Sequence, residues 1–426
     1  MNKDNKNFWK IWNSYFCKNC SNDVDIDGHS ESSEIANAFA RHFANSFVNS
    51  INDNQSVDEF VTLYQHVRNV VPETVIDISD VELCLSYLKM NKASGHDGLV
   101  AEHLMHSHPA IVLHMKILFQ LIFKFSFVPD DFGVGVIVPI VKNYRGNLCS
   151  SDNYRPITLS PIISKVFEHF LLHKFSGNLR TDNLQFGFKK GLGCSNALFL
   201  LRQTIHFFTS HGSDIFIASL DASRAFDRVN HFKLYSTLIK SNVSSEFVRI
   251  IINWYSKLCA NVKWFNCFSD SFTIHSGVRQ GGILSPLLFN YYVDTLIINL
   301  RSSDLGCKLH NTYVGCIMYA DDLLLISASI INLQNMLDIC SNIGATLGIK
   351  FNSSKSCCLH IGPSILNVLP DLLINNSIIS WCNKIKYLGI WIRSNSRFVI
   401  DIDECRSKFF MSVNRVLSKT KYICVI

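Results

Sequence analysis

The sequence predicts an α+β fold. Strand-like and helix-like runs follow one another without the regular βαβ alternation of a parallel-sheet protein. Apolar residues make up 48% of the 426 residues, enough for a sizeable core. No repeat or low-complexity tract interrupts the pattern.

Taken in order, residues 1–70 are polar and mixed, and they read as an N-terminal arm or linker. Within them EIANAFARHFANSFVNSI predicts an amphipathic helix, with Phe39, Phe43 and Phe47 at four-residue spacing. A helix over Ser79–Met90 runs into NKASGHDG, where Gly95, Asp97 and Gly98 mark a turn. A helix over 109–127 precedes GVIVPIVK, 135–142, a strand that Pro139 should confine to an edge or a bulge. After a polar loop at 143–153, helical periodicity returns at 163–179 and 195–209.

From Asp214 the character changes. DIFIASLD is a continuous apolar strand ending in a carboxylate, and helices are expected at 231–240 and 245–260. Strand-like VKWFNCF and SFTIH lead to a glycine-rich turn at 277–282 and a helix from Pro286 to about Leu300. TYVGCIMYADDLLLIS predicts a hairpin, 331–346 a helix, and GIKF, SCCLHIG and YLGIWI three short strands.

The net charge of +6 is a mild basic excess, compatible with a polyanionic partner. Fifteen cysteines in a long chain that opens without an apolar signal core read as reduced thiols of an intracellular protein, in cytoplasm or nucleus. Cys17 and Cys20 form a CxxC, yet no second ligand pair follows at zinc-finger spacing. The most apolar window, 111–128, is interrupted by His114, Lys116 and Lys124, so it predicts a buried or partly buried helix and no membrane partner.

The chemistry is carried by carboxylates. Asp321 and Asp322 sit between the apolar runs GCIM and LLLIS, at the tip of what should be a buried hairpin. Turn-forming preference would account for one aspartate there, but adjacent buried charges call for a metal ion. Asp221 closes the apolar strand IFIASL and could meet the pair if the two strands lie side by side. Two-metal phosphoryl transfer needs carboxylates arranged in that way.

These residues fall in an ordered series that resembles the motifs of non-LTR (LINE-like) retrotransposon reverse transcriptases. SLDASRAFDRVNH resembles the first palm motif, GVRQGGILSPLLFNYYVD the second and YADD the third, while GIKFNSSKS and KYLGIWI are similar to the fourth and fifth. Upstream, NKASGHDG, VIVPIVK, NYRPITLSPIISKVFE and QFGFKKG resemble the finger-side blocks.

The resemblance, which spans about 80–392, implies a right-hand polymerase fold with fingers, an antiparallel-sheet palm and a truncated helical thumb. It implies fingers at 71–215, palm at 216–393 and the start of a thumb at 394–426, with the reverse transcriptase domain at about 120–393. The implied activity is RNA-directed DNA polymerisation: a primer 3′-hydroxyl attacks a deoxynucleoside triphosphate on an RNA template. The expected partners are RNA template, DNA primer and deoxynucleoside triphosphates.

By the same resemblance Asp221, Asp321 and Asp322 bind two Mg²⁺ ions, for which Mn²⁺ could substitute, with Asp221 and Asp321 the stronger direct ligands. Phe226 would stack under the deoxyribose and exclude a 2′-hydroxyl. Gln280 and Gly281 would lie against the template or incoming base, in a turn whose glycines let backbone approach a nucleotide. Lys142 and Arg155 would close on the triphosphate, and Lys355 would donate a proton to leaving pyrophosphate. Lys189 stands where the family usually has arginine, which puts template contact by that block in doubt.

FWKIWNSYF resembles the linker that follows an endonuclease in full-length relatives, and the thumb looks cut short, so the chain reads as a fragment of a longer element or a decayed insertion whose motifs remain intact. Two alternatives stay open: a catalytically inactive nucleic-acid-binding remnant, and a group II intron maturase-type enzyme with the same palm.

Overall fold

The structure is a computed structural model and describes residues 25–47, 54–177, 179–222, 224–364 and 369–420. Cys17, Cys20 and the FWKIWNSYF segment lie outside the described residues.

Sixteen strands are named in chain order: β1 Val134–Val141, β2 Tyr154–Leu159, β3 Ile215–Asp221, β4 Cys259–Trp264, β5 Cys267–Phe268, β6 Phe272–Thr273, β7 Lys308–Leu309 and β8 Thr312–Tyr313. They continue with β9 Cys316–Tyr319, β10 Asp322–Ser327, β11 Cys357–Ile361, β12 Leu372–Ile374, β13 Ser377–Trp381, β14 Lys384–Tyr387, β15 Ile390–Arg393 and β16 Val399–Asp401. With helices interspersed throughout, the mixed α+β class holds.

The sheet that matters for function has the order β12-β13-β11-β3-β10-β9. Its centre is antiparallel, and only β11 and β13 run parallel at one side. Leu220, Leu323 and Met318 enter one apolar cluster, while Ile217, Leu324 and Ile317 enter another on the opposite face. Burial on both faces is why IFIASL and LLLIS are continuous apolar runs and not alternating ones. The helices Ser285–Ser302 and Ile330–Leu347 cover the first face, with Phe289, Tyr292, Met336 and Leu337 buried there.

The second sheet has the order β2-β1-β4-β5, with β6 also on β4. Pro139 stands directly opposite Pro156 in the β1–β2 ladder. Thr158, of the same parity as Pro156, sends its N–H outward to the Gln280 carbonyl at 2.7 Å, so both prolines occupy positions that need no donor within the pair. The parallel pairing of β1 with β4 ends at Ile137, short of Pro139.

The amphipathic helix expected near the N terminus is Ser32–Ser46. Its Phe39 and Phe43 are fully buried, and the Phe39 ring centroid lies 4.9 Å from that of Tyr154 and 5.2 Å from that of Trp264. Within the segment read as an arm, the Ser32–Ser46 helix is thus packed into the core. Every described cysteine is free. Among the described residues no helix is long and apolar enough to cross a membrane.

Several expectations differ from the structure, among them VKWFNCF, which is not one strand but a hairpin, turned at Phe265 with φ 49° between β4 and β5. The helix expected over 245–260 ends at Tyr255, because residues from Cys259 onward pair with β1 instead. GIKF forms no strand: Phe351 makes only an isolated bridge to Ala222. YLGIWI is not one strand but a hairpin, since Leu388 at φ 45° and Gly389 at φ 86° turn β14 back into β15.

Candidate active site

The β3 strand delivers Asp221 to one end of the main sheet. β10 lies beside it in antiparallel register with Asp322 opposite Asp221, and Tyr319 and Asp322 close the β9–β10 hairpin around Ala320 and Asp321. Carboxylates one hundred positions apart therefore meet because one register pairs the two strands. Ala320 takes a left-handed conformation, φ 58°, that suits a two-residue hairpin turn but strains a non-glycine residue.

Around this edge lies a cavity of about 810 Å³ whose lining includes Asp221, Asp321, Phe226, Lys142, Arg155, Gln280, Gly281 and Lys355. Eight of the nine residues singled out from the sequence are thus brought to one space. Asp322 is the exception: it is exposed and does not line the cavity.

Burial, and then the Asp221 charge, push the Asp321 carboxyl above the usual carboxylate range. Partial desolvation at the crowded sheet end, together with the Asp321 and Asp221 charges, pushes Asp322 up to about 6 although solvent still reaches the residue. Like charges held together this way favour a counter-cation. Lys355 supplies one at long range, its Nζ 3.9 Å from Asp221 Oδ2. Its loop is docked on the same strand end, with Asn352 N–H donating to the Asp221 carbonyl at 2.9 Å and Asp221 N–H donating to Ser356 Oγ at 3.2 Å.

Among the described residues no group of three His, Cys, Asp or Glu side chains forms a ready-made metal cage. Asp221 and Asp321, hard oxygen donors that line the cavity together, still suit Mg²⁺, which keeps its waters and is commonly held by one or two carboxylates plus substrate phosphates.

Phe226 sits in a short 3-10 turn, Ala225–Arg228, that follows β3. Its ring stacks on Phe289 with centroids 4.1 Å apart and planes within 13°, while Phe188 meets it edge-on at 6.1 Å. A ring clamped on two sides is a rigid wall.

Gln280 donates its amide to Asp227 Oδ1 at 2.7 Å. An ionised carboxylate only accepts, so this contact fixes which end of the Gln280 amide faces the cavity. Gly281, at φ 120°, would set any Cβ 2.6 Å from the Thr158 carbonyl oxygen, so the turn requires glycine. Lys142 donates to the Asp152 carbonyl at 2.7 Å, and burial, helped by Arg224, lowers its ammonium pKa. Lys189 lies away from the cavity lining, donating to the Thr181 and Asp182 carbonyls at 3.1 and 2.5 Å.

Several residues were not singled out from the sequence. Asp227, 3% exposed, is pushed up to about 6 by burial, partly offset by the Gln280 hydrogen bond. Arg224 ties the cavity rim together, donating to Asp152 Oδ1 at 2.8 Å and to Ser46 Oγ at 2.5 Å. Glu168 is buried beneath the glycine turn, near Arg279, a buried member of the turn expected at 277–282. Each lies inside a motif block, but for Asp227 and Glu168 only the polar character of a buried position could have marked it, and Arg224 is exposed and carries no such signal.

The Asp227 carboxyl binds its proton more tightly in the folded chain than in the unfolded one. Its contribution is therefore full below about pH 4 and is lost as pH rises through about 6. Asp227→Asn keeps an acceptor for Gln280 and removes this loss. The expected result is a thermal midpoint that matches wild type at pH 4.5 and exceeds it at pH 7.5. Equal differences at both pH values would refute it.

Comparison with known proteins bears on this geometry. Residues 142–392, more than half of the chain, match the family described as reverse transcriptase (RNA-dependent DNA polymerase). The chain is 26% identical over 285 residues to a retrovirus-related Pol polyprotein from a type-2 retrotransposable element of Drosophila melanogaster, an alignment covering 67% of this chain and 26% of that protein. It is 23% identical over 403 residues to the RNA-directed DNA polymerase from mobile element jockey of Drosophila funebris, covering 90% of this chain and 43% of that protein. The chain thus spans well under half the length of these relatives. A distant likeness among solved structures is apo telomerase from Candida Tropicalis truncated from its C-terminal domain, with TM-score 0.46, 13% identity and coverage of 68% of this chain and 60% of that one. The strand pairing that brings Asp221 to the YADD turn lies within the matched span, and the chain belongs to the reverse transcriptase family.

Proposed function

We propose that this chain is the RNA-directed DNA polymerase core of a non-LTR retrotransposon, adding deoxynucleotides to a primer 3′-hydroxyl on an RNA template. The observation that carries the reading is the convergence of Asp221 and Asp321 on a cavity that also holds Lys142, Arg155, Phe226, Gln280 and Lys355. Residues 71–215 would serve as fingers, 216–393 as palm and 394–426 as the start of a thumb.

Asp221 and Asp321 would hold the catalytic Mg²⁺ ions, with Asp322 as an outer carboxylate on the same hairpin. When bound, the metal supplies charge stabilisation of the attacking and leaving oxygens. The rest is positioning by the chain's own groups. Arg155 and Lys142 face the cavity where a triphosphate needs cationic partners. Lys355, beside Asp221, can hold a proton for departing pyrophosphate. Nucleic-acid backbone would be gripped by charge, so binding should weaken with salt.

Primer extension on poly(rA)/oligo(dT) with Mg²⁺ tests the reading. Extension that Asp321→Asn abolishes supports it. A folded chain that binds the duplex without extending it would instead fit the inactive remnant.

The Phe226 wall makes a separate prediction. Phe226→Ala should admit ribonucleoside triphosphates, reducing discrimination by roughly 10–200-fold, the range that small steric differences in a pocket support. Competing deoxy- and ribonucleotide incorporation measures it; an unchanged ratio would remove Phe226 from the sugar gate.

A further inference from the structure

The Ala320–Asp321 turn is held from outside its own hairpin. Leu184–Gly187 runs alongside β9, with Phe186 N–H donating to the Met318 carbonyl at 2.8 Å and Met318 N–H donating to the Leu184 carbonyl at 2.9 Å. Beyond Met318 the backbone ladder stops and a side chain takes over. The Gln185 amide, fully buried, accepts from Ala320 N–H through Oε1 at 3.0 Å and donates through Nε2 to the Ala320 carbonyl at 3.4 Å. Its Oε1 also accepts from Gly187 N–H at 3.0 Å. Gly187 is packed so tightly on the turn that a Cβ there would lie 2.4 Å from the Ala320 nitrogen.

Both polar groups of Ala320 are thus held by one side chain, at a residue whose left-handed backbone is costly to maintain. Asp321 is the next residue, so the direction of its carboxylate follows from the orientation of that peptide.

We propose that Gln185 is a positioning residue: by holding both backbone groups of Ala320 it aims the Asp321 carboxylate at the divalent cation. It touches neither metal nor substrate and acts only through the turn. The inference rests on the metal-binding reading of Asp221 and Asp321.

The test is a Mn²⁺ titration of the full chain, followed by the loss of the free-ion electron paramagnetic resonance signal. Wild type, Asp321→Asn, Gln185→Ala and Gln185→Asn are compared, with thermal midpoints measured alongside. Gln185→Asn keeps the buried amide but withdraws it by one methylene, so it guards against an alanine variant that fails to fold. Changes around a metal ligand's supporting contacts cost about 10–100-fold in metal affinity. Mn²⁺ affinity should therefore fall at least about tenfold in Gln185→Asn, with the fold retained. An Asp321-dependent site that Gln185→Asn leaves within about twofold of wild type would overturn this inference alone, being well short of that range. A wild-type chain whose Mn²⁺ binding is indifferent to Asp321→Asn would overturn the underlying metal reading, and this inference with it.

Discussion

Replacing Asp321 by asparagine is expected to lower the rate of primer extension by roughly 10³-fold or more, and Asp221→Asn by a similar factor. Asparagine has the size of aspartate and tolerates the same turn conformation, so the hairpin should persist. What is lost is the negative charge that would hold a divalent cation in the cavity. Metal electrostatics of several kcal/mol, at about 1.4 kcal/mol per factor of ten, sets the size of the effect. Asp322→Asn should cost far less, on the order of tenfold, because Asp322 lies opposite Asp221 in the ladder but outside the cavity lining. Single-turnover extension at saturating Mg²⁺, with thermal midpoints as a check on folding, distinguishes the three. A loss in Asp322→Asn as deep as in Asp321→Asn would mean that all three carboxylates act as direct ligands.

Much of this site could be read from the chain because its parts are short and local. IFIASLD and YADDLLLIS each announce a buried strand with a carboxylate at its end, and a single register joins them. Strands buried on both faces leave continuous apolar runs, which composition alone reveals. The supporting polar residues were harder to see. Gln185, Asp227 and Glu168 matter because of what lies across from them, 135, 53 and 116 positions away respectively. No local pattern encodes such a partner. The errors in element boundaries have the same origin: the segment after Tyr255 has an apolar character that suits helix or strand, and the open edge of β1 decides it. YLGIWI was misread because its turn is only two residues long, although Leu-Gly was the available signal.

The second large effect concerns stability and begins with Glu168. Its carboxyl, 5% exposed, accepts from Leu284 N–H at 2.9 Å and from Ile283 N–H, at the point where the glycine turn enters the Ser285–Ser302 helix. An anion there satisfies donors that the helix cannot and favours its positive end. Burial pushes the Glu168 carboxyl above its ordinary range, opposed by those two N–H groups and by the Arg279 guanidinium. Arg279 is itself buried and donates to the Phe132 carbonyl at 3.0 Å and to the Gly133 carbonyl, with its Nε lacking a hydrogen-bond partner. Glu168→Ala would strand two N–H groups and leave Arg279 without its nearby counter-charge, a loss of about 3–5 kcal/mol. Against a typical total of about 5–15 kcal/mol, that brings the chain close to unfolding. Glu168→Gln retains an acceptor and should cost less; its own loss reports the charge, and the further loss in Glu168→Ala reports the hydrogen bonds and packing. Urea unfolding of Glu168→Ala, Arg279→Met and the double variant completes the cycle. Coupled groups require the double variant to lose less than the sum of the single losses; strict additivity would show that the turn carrying Gln280 and Gly281 is supported by the Glu168 hydrogen bonds alone.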